Sequence, residues 1–370
     1  MTTPAWLLDA LAGVMLAVAG VSAVRLAGAR PWRRGTVVTD TDVGHMLIDI
    51  AMAGTLAAGL RTLPGAAWVA IFAILTCWFG YRVAREARAG GVRALAGRHC
   101  APHLVHSGAM IYMFLALPPL AARARETRKK RPLLRDPKAV EIVESVDFGL
   151  APIAPGPTAL VVTLRTLIMD WWVRQFLAEH PGGTVIELGT GLNTRFERTD
   201  NGTAHWIDLD LPDTIELRRR FFADTGRRQM LAASLTDEDW LAAVEQRPAP
   251  YFFASDGVFV YLSEADVTAM LARIAARFPG AMVAFDTYTT ATFAQEHKMA
   301  AKRNVAAWHW ACDDPRSLER LGLRLIESVP VTRPPAGLRA ELPARYRYLL
   351  PLADPVFGKR GLSLNLFQAG

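Results

Sequence analysis

Two hydrophobic rhythms divide the chain near residue 130. Before it, apolar runs from Trp6 to Leu26, Met46 to Leu60, Ala66 to Tyr81 and Leu104 to Ala122 stand between arginine-rich stretches. The first and last approach the roughly 20 residues that a membrane-spanning helix needs, and the middle two, parted by Arg61 to Pro64, predict a tight helical hairpin. After it, apolar residues recur at helical spacing from Thr158 to Glu179 (Leu160, Leu164, Leu167, Ile168, Trp171, Trp172, Phe176) until Pro181-Gly182-Gly183 stops the run. Short strand-like and helical stretches then alternate. Strands are expected at Val185 to Leu188, Ala204 to Asp208, Met230 to Ala233, Tyr251 to Ala254 and Ala281 to Asp286, and helices at Thr214 to Asp224, Asp237 to Val244 and Glu264 to Phe278. The alternation predicts an α/β fold with a doubly wound, mainly parallel sheet whose ligands bind beyond the C-terminal strand ends. The charged, proline-bearing stretch 123–137 reads as a basic linker, giving a helical membrane domain over 1–122 and an α/β domain over 138–370.

Charge follows the same division. Residues 1–135 hold 17 Lys and Arg against 6 Asp and Glu, and the rest 25 against 29, so the overall +7 comes from the first third alone. Its arginines flank apolar runs instead of forming a polar face, which points to a membrane and away from nucleic acid. Three cysteines, Cys77, Cys100 and Cys312, have neither paired nor zinc-like spacing. The basic stretches after the first and third apolar runs and the tail after the fourth cannot all be cytoplasmic if four segments cross. Either the fourth, broken by Pro118 and Pro119, does not cross, or a middle one is re-entrant. His45, Asp49 and Met52, with His99, His103, His106, Met110 and Met113, form a cluster that could hold copper, or simply fill gaps between helices.

The chemistry of the second half gathers at the strand ends. The first strand, which includes Glu187, runs into Gly189-Thr-Gly191, a turn where glycine lets backbone N–H groups approach a ligand. About 20 residues on, the second strand ends in Asp208-Leu209-Asp210, where a carboxylate can accept from ribose hydroxyls. The turn GTGLNTR lacks the third glycine of a dinucleotide fingerprint, so a pyrophosphate has a poorer seat. An adenine would lie at Ser234 and Leu235 after the third strand. Asp256 follows the fourth strand, placed to meet an ammonium group or to cap the next turn.

The series GTGLNTR, WIDLDLPD, AASLTDEDW, SDGVFVYL and RFPGAMVAFD, with RPLLRDPKA and VVTLRTLIMDWWVRQFL before it, resembles the leucine carboxyl methyltransferase-like enzymes over about residues 133–370, especially the bacterial branch that methylates polyketides. The resemblance implies a Rossmann-like class I methyltransferase domain with S-adenosylmethionine as cofactor. It implies that Arg165 meets the cofactor carboxylate, Gly189 and Gly191 its methionine part, Asp210 the ribose, Ser234 and Leu235 the adenine, and Asp256 the amino group. Ser234 stands where many relatives have aspartate, and Asp256 where glutamate is usual.

Methyl transfer is an in-line displacement, and a carboxylate acceptor arrives ionised and needs no general base. Tyr261 and Arg195 lie nearest the cofactor as candidates for catalysis, Arg195 alternatively as half of an ion pair. Asp286, Thr287, Tyr288, His297, Lys298, Lys302, Arg303, Trp308, His309 and Trp310 would suit a flat acidic acceptor, or pack as an ordinary helix. A cytosolic cofactor places the α/β domain on the cytoplasmic side of a multi-pass cell-membrane protein. Residues 1–120 resemble an actinobacterial family of small integral membrane proteins of unknown function. The competing reading is a membrane copper-binding or sensor protein whose α/β domain holds a nucleoside without turnover.

Overall fold

The computed structural model describes residues 119–145, 157–294, 308–353 and 361–370, and Ala19, Ile50 and Ile71 singly. Apart from those three residues and Pro119–Ala122, the expected membrane segments lie outside the described residues, as do the His/Met cluster and His297, Lys298, Lys302 and Arg303. Among those described, no helix is long and apolar enough to cross a membrane. The chain divides into two compact units, of which Pro119–Val140, Ala154–Lys302 and Ala306–Gly370 form the α/β unit.

Among the described residues that unit has seven strands: β1 (Thr184–Leu188), β2 (His205–Asp210), β3 (Arg228–Ala232), β4 (Tyr251–Ser255), β5 (Met282–Tyr288), β6 (Leu323–Pro330) and β7 (Leu362–Ala369). Their order is β3-β2-β1-β4-β5-β7-β6, with the first five parallel and β7 antiparallel to both neighbours. The order reverses between β1 and β4, which opens a crevice for ligands at their C-terminal ends. The helices are α1 (Pro137–Ser145), α2 (Pro157–Glu179), α3 (Arg195–Thr199), α4 (Pro212–Arg218), α5 (Asp239–Glu245), α6 (Glu264–Arg277), α7 (Ala336–Glu341) and α8 (Ala344–Leu349).

The five predicted strands are present within a few residues. β6 and β7 lie outside the expected set, because neither has a clean period: a bulge between Leu325 and Glu327 interrupts one, and Asn365 sits mid-run in the other. Asn365 is buried yet satisfied, donating to Thr287 Oγ1 at 2.9 Å and accepting from Ser328 Oγ at 2.7 Å. The expected helix from Thr214 to Asp224 is shorter, ending at Arg218.

Strand alternation sorts side chains to two covered faces. Ile186, Leu188, Ile207, Leu209, Phe253, Val283 and Phe285 share one core with α5 and α6. Val185, Trp206, Phe252, Ala254 and Ala284 share the other with α2. The same period carries Glu187, Asp208, Asp210, Asp286 and Tyr288 to the α2 face, where the apolar core gives way to charge.

The stretch expected as a linker is part of this unit. Residues 119–127 are helical, Leu120, Ala122, Arg123, Ala124 and Glu126 are buried, and Asp136 caps α1 by accepting from Ala139 N–H at 3.0 Å. Folded structure of the α/β unit therefore begins upstream of residue 138. The four residues Pro119 to Ala122, expected to finish an apolar span, belong to it as well.

Candidate functional site

The turn after β1 is held by backbone and carboxylate together. Gly189 and Gly191 have φ of 71° and 48°, which glycine adopts without strain. Gly189 and Thr190 N–H groups donate to Leu209 O, and Gly191 N–H donates to Asp210 Oδ2 at 2.7 Å. Asp210 Oδ1 accepts from Leu211 N–H at 2.7 Å, so the carboxylate sits between turn and strand end. Beside it, Leu211 is 42% exposed. Asp208, two residues earlier, is fully buried. Its oxygens meet Thr190 Oγ1 (3.1 Å), Arg218 (3.0 Å) and Arg228 (2.7 Å), and Arg218 also donates to Gly191 O and Asn193 O. Geometry thus makes Asp208 a brace for the turn.

A ladder of buried ion pairs runs beside it. Arg195 bonds Asp170 at 2.9 Å and both Glu187 oxygens at 2.5 and 2.6 Å, with Asp256 3.4 Å away. Arg198 joins Asp170 to Asp136 at 2.7 and 2.9 Å. Arg165, on α2, lies 2.5 Å from Asp256, 3.3 Å from Asp286 and 3.4 Å from Tyr288 Oη. Gly257 N–H holds the other Asp286 oxygen at 2.8 Å. Burial pushes the carboxyls of Glu187 and Asp286 above their ordinary values, with arginine pulling each back only in part. Burial acts the same way on Asp170, but Arg198 and Arg195 outweigh it and hold that carboxyl low. Burial opposes the Arg165 charge, yet Asp256, Tyr288 and Asp286 keep its pKa above the usual value.

A group of aromatic residues lies past β4 and β5. Tyr261 ends a short helix, Phe259–Tyr261, onto which residues 308–310 dock: His309 N–H donates to Val260 O at 2.7 Å. Trp308 packs on Tyr288 with ring centroids 4.4 Å apart. Trp310 is buried against Phe259 and Phe285, and His309 is exposed. Of the three, only Trp308 meets the charged cluster, through Tyr288. Burial raises the Tyr288 phenol well above its ordinary value.

Among the expected site residues, Arg165, Glu187, Gly189, Gly191, Asp210, Asp256, Arg195 and Asp208 converge on this end of the sheet. Ser234 and Leu235 follow β3, Ser234 half-buried with its hydroxyl in a local turn with Thr236 (2.8 Å) and Leu235 in the core. Asp136, Asp170, Arg198 and Arg123 escape the sequence reading. A signal exists for Asp170, an acid set between Arg165 and Arg174 inside the apolar run of α2, and none for the pairing of residues 123 and 136 across a turn.

The chain matches two family models. Residues 116–275 match leucine carboxyl methyltransferase, and residues 37–193 match a domain of unknown function (DUF5134). Over 214 residues it is 37% identical to the tetracenomycin polyketide synthesis O-methyltransferase TcmP of Streptomyces glaucescens, covering 56% of this chain and 78% of that one. It is 30% identical over 197 residues to a Mycobacteroides abscessus protein named as an S-adenosyl-L-methionine-dependent methyltransferase, covering 47% and 62%. Among solved structures, it resembles the magnesium protoporphyrin IX methyltransferase of Synechocystis with bound SAH at 10% identity and a TM-score of 0.36, covering 59% of this chain and 89% of that one. A Mesorhizobium loti S-adenosylmethionine-dependent methyltransferase gives 14%, 0.38, 54% and 97%. The chain belongs to the leucine carboxyl methyltransferase family of S-adenosylmethionine-dependent methyltransferases.

Proposed function

We propose that the chain transfers a methyl group to an oxygen of a small, flat, acidic acceptor of polyketide type, a carboxylate in preference to a phenol, and does so tethered to the cell membrane on its cytoplasmic side. The observation that carries the cofactor half is the contact of Gly191 N–H with Asp210 at a turn with two positive-φ glycines. The residues suit such a ligand. Asp136, Asp170, Glu187, Asp256 and Asp286 face Arg123, Arg165, Arg195 and Arg198, so carboxylates exceed guanidiniums by one, and Glu187 and Asp286 already resist ionisation. A ligand with net positive charge relieves that excess.

S-adenosylmethionine supplies an electrophilic methyl group on a sulfonium. Asp210 would hold the ribose, Leu211 and Leu235 would cover the purine, and Arg165 with Asp256 would hold the carboxylate and ammonium of the methionine part. Arg195, locked to Asp170 and Glu187, would serve by fixing Glu187 and Asp256. Tyr261, Tyr288 and Trp308 would wall the acceptor, and excluding water there strengthens every charge contact. A protonated Tyr288 can donate to an ionised carboxylate, an acceptor that itself needs no general base. The homology to TcmP supports a polyketide-like acceptor, and the apolar, arginine-flanked runs of the first third support the membrane.

Incubating the full chain with methyl-labelled S-adenosylmethionine and matched aromatic acids and phenols tests this. Label in a product that mild alkali releases as methanol is expected, and a product stable to alkali would replace the carboxyl reading by a phenolic one. Alongside that assay, Asp210→Ala is expected to weaken S-adenosylhomocysteine binding by about 1.5–3 kcal/mol, roughly 10- to 150-fold. An unchanged dissociation constant by isothermal titration would take Asp210 off the ribose.

A further inference from the structure

We propose that Arg123 and Asp136 are positioning residues that fasten the stretch 119–137 to the glycine-rich turn and so set the shape of the cofactor seat. The proposal rests on reading that turn as the seat. Asp136 Oδ2 accepts from Arg123 Nε at 2.9 Å, Thr194 Oγ1 at 2.6 Å and an Arg198 guanidinium nitrogen at 2.9 Å. The second arm of Arg123 donates to Leu192 O at 3.1 Å. Asp136 N–H donates to Thr127 Oγ1 at 2.8 Å, and that hydroxyl donates to Arg123 O at 2.9 Å, so residues 123 and 136 are closed against each other. Arg123 is 4% exposed and Asp136 0%, so neither is placed to touch a ligand.

The reason for such a latch lies in the turn. With positive φ at Gly189 and Gly191, the segment has no side chain at two of its bends and is costly to hold in one conformation. A buried ion pair gives little net stability against an apolar replacement, but it fixes geometry through directed bonds. Here those bonds end on Leu192 O and Thr194 Oγ1, the residues just past the second glycine. Only a guanidinium can reach Asp136 and Leu192 O at once, because lysine offers one compact ammonium.

Arg123→Lys keeps the charge pair and removes the fork, so in the full chain it is expected to retain the wild-type melting temperature while S-adenosylhomocysteine binds about 5- to 20-fold more weakly by isothermal titration. If that variant does not fold, Thr194→Val, which changes no charge, is expected to shift affinity in the same direction. Affinity within twofold of wild type in a folded variant would overturn the latch, as would a lowered melting temperature with unchanged affinity. A wild-type chain that binds neither S-adenosylmethionine nor S-adenosylhomocysteine would overturn the reading of the seat, and the latch with it.

Discussion

Arg195→Met is expected to destabilise the α/β unit by about 3–5 kcal/mol at neutral pH, the usual result of stranding a buried carboxylate. Asp170 would keep Arg198, at 2.7 and 3.0 Å. Glu187 would keep only the Asn193 amide at 3.2 Å. Its carboxyl, already above the ordinary 4.5 through burial, would rise further. The sign of the pH effect follows. A carboxyl with a raised folded-state pKa takes up a proton on folding, so stability falls as pH climbs from the unfolded value near 4.5 through the folded one. The deficit of the variant should therefore be smallest near pH 4.5 and full at neutrality, read by denaturant unfolding with tryptophan fluorescence. Arg195→Met combined with Glu187→Gln should recover most of it. An equal deficit at both pH values would show that Arg195 acts through packing instead.

Gly189→Ala is expected to reduce S-adenosylhomocysteine affinity by at least about tenfold and stability by about 2–4 kcal/mol, adding backbone strain to overpacking. The added Cβ would stand 2.6 and 2.7 Å from the Val258 methyls, on a residue with φ of 71°. Val258 is buried and β-branched, so it has few rotamers with which to yield. Gly189→Ala with Val258→Ala should recover the steric share but not the conformational one. A single variant that binds like wild type would mean that the turn has freedom these contacts do not suggest.

Much of this is legible from the chain alone, for a physical reason. β1, β2, β4 and β5 are central strands buried on both faces, so they read as short apolar runs, and their period places Glu187, Asp210 and Asp286 on one face. What cannot be read is pairing across distance. Glu187, Asp170 and Asp256 look alike as acids, and only the fold shows that Arg195 binds all three and is itself enclosed. Arg123 looks like one of several solvated cations in a linker, since nothing local marks it as the one that turns inward while Arg125 and Arg128 stay exposed. β6 and β7 escape because a bulge and a buried asparagine spoil the alternation that reveals a strand.

The position of β7 has a consequence for the order in which the molecule is made. It follows every other described strand, yet lies between β5 and β6, and among the described residues β6 pairs with no other strand. While residues 362–369 are still within the ribosome, β5 presents an open edge and β6 has nothing to join. A nascent chain can therefore close the five parallel strands early but gains its last two together. A message cut short before residue 362 would cost the sheet two strands, and leave the Phe285 ring without the Phe367 ring that stacks on it at 5.3 Å.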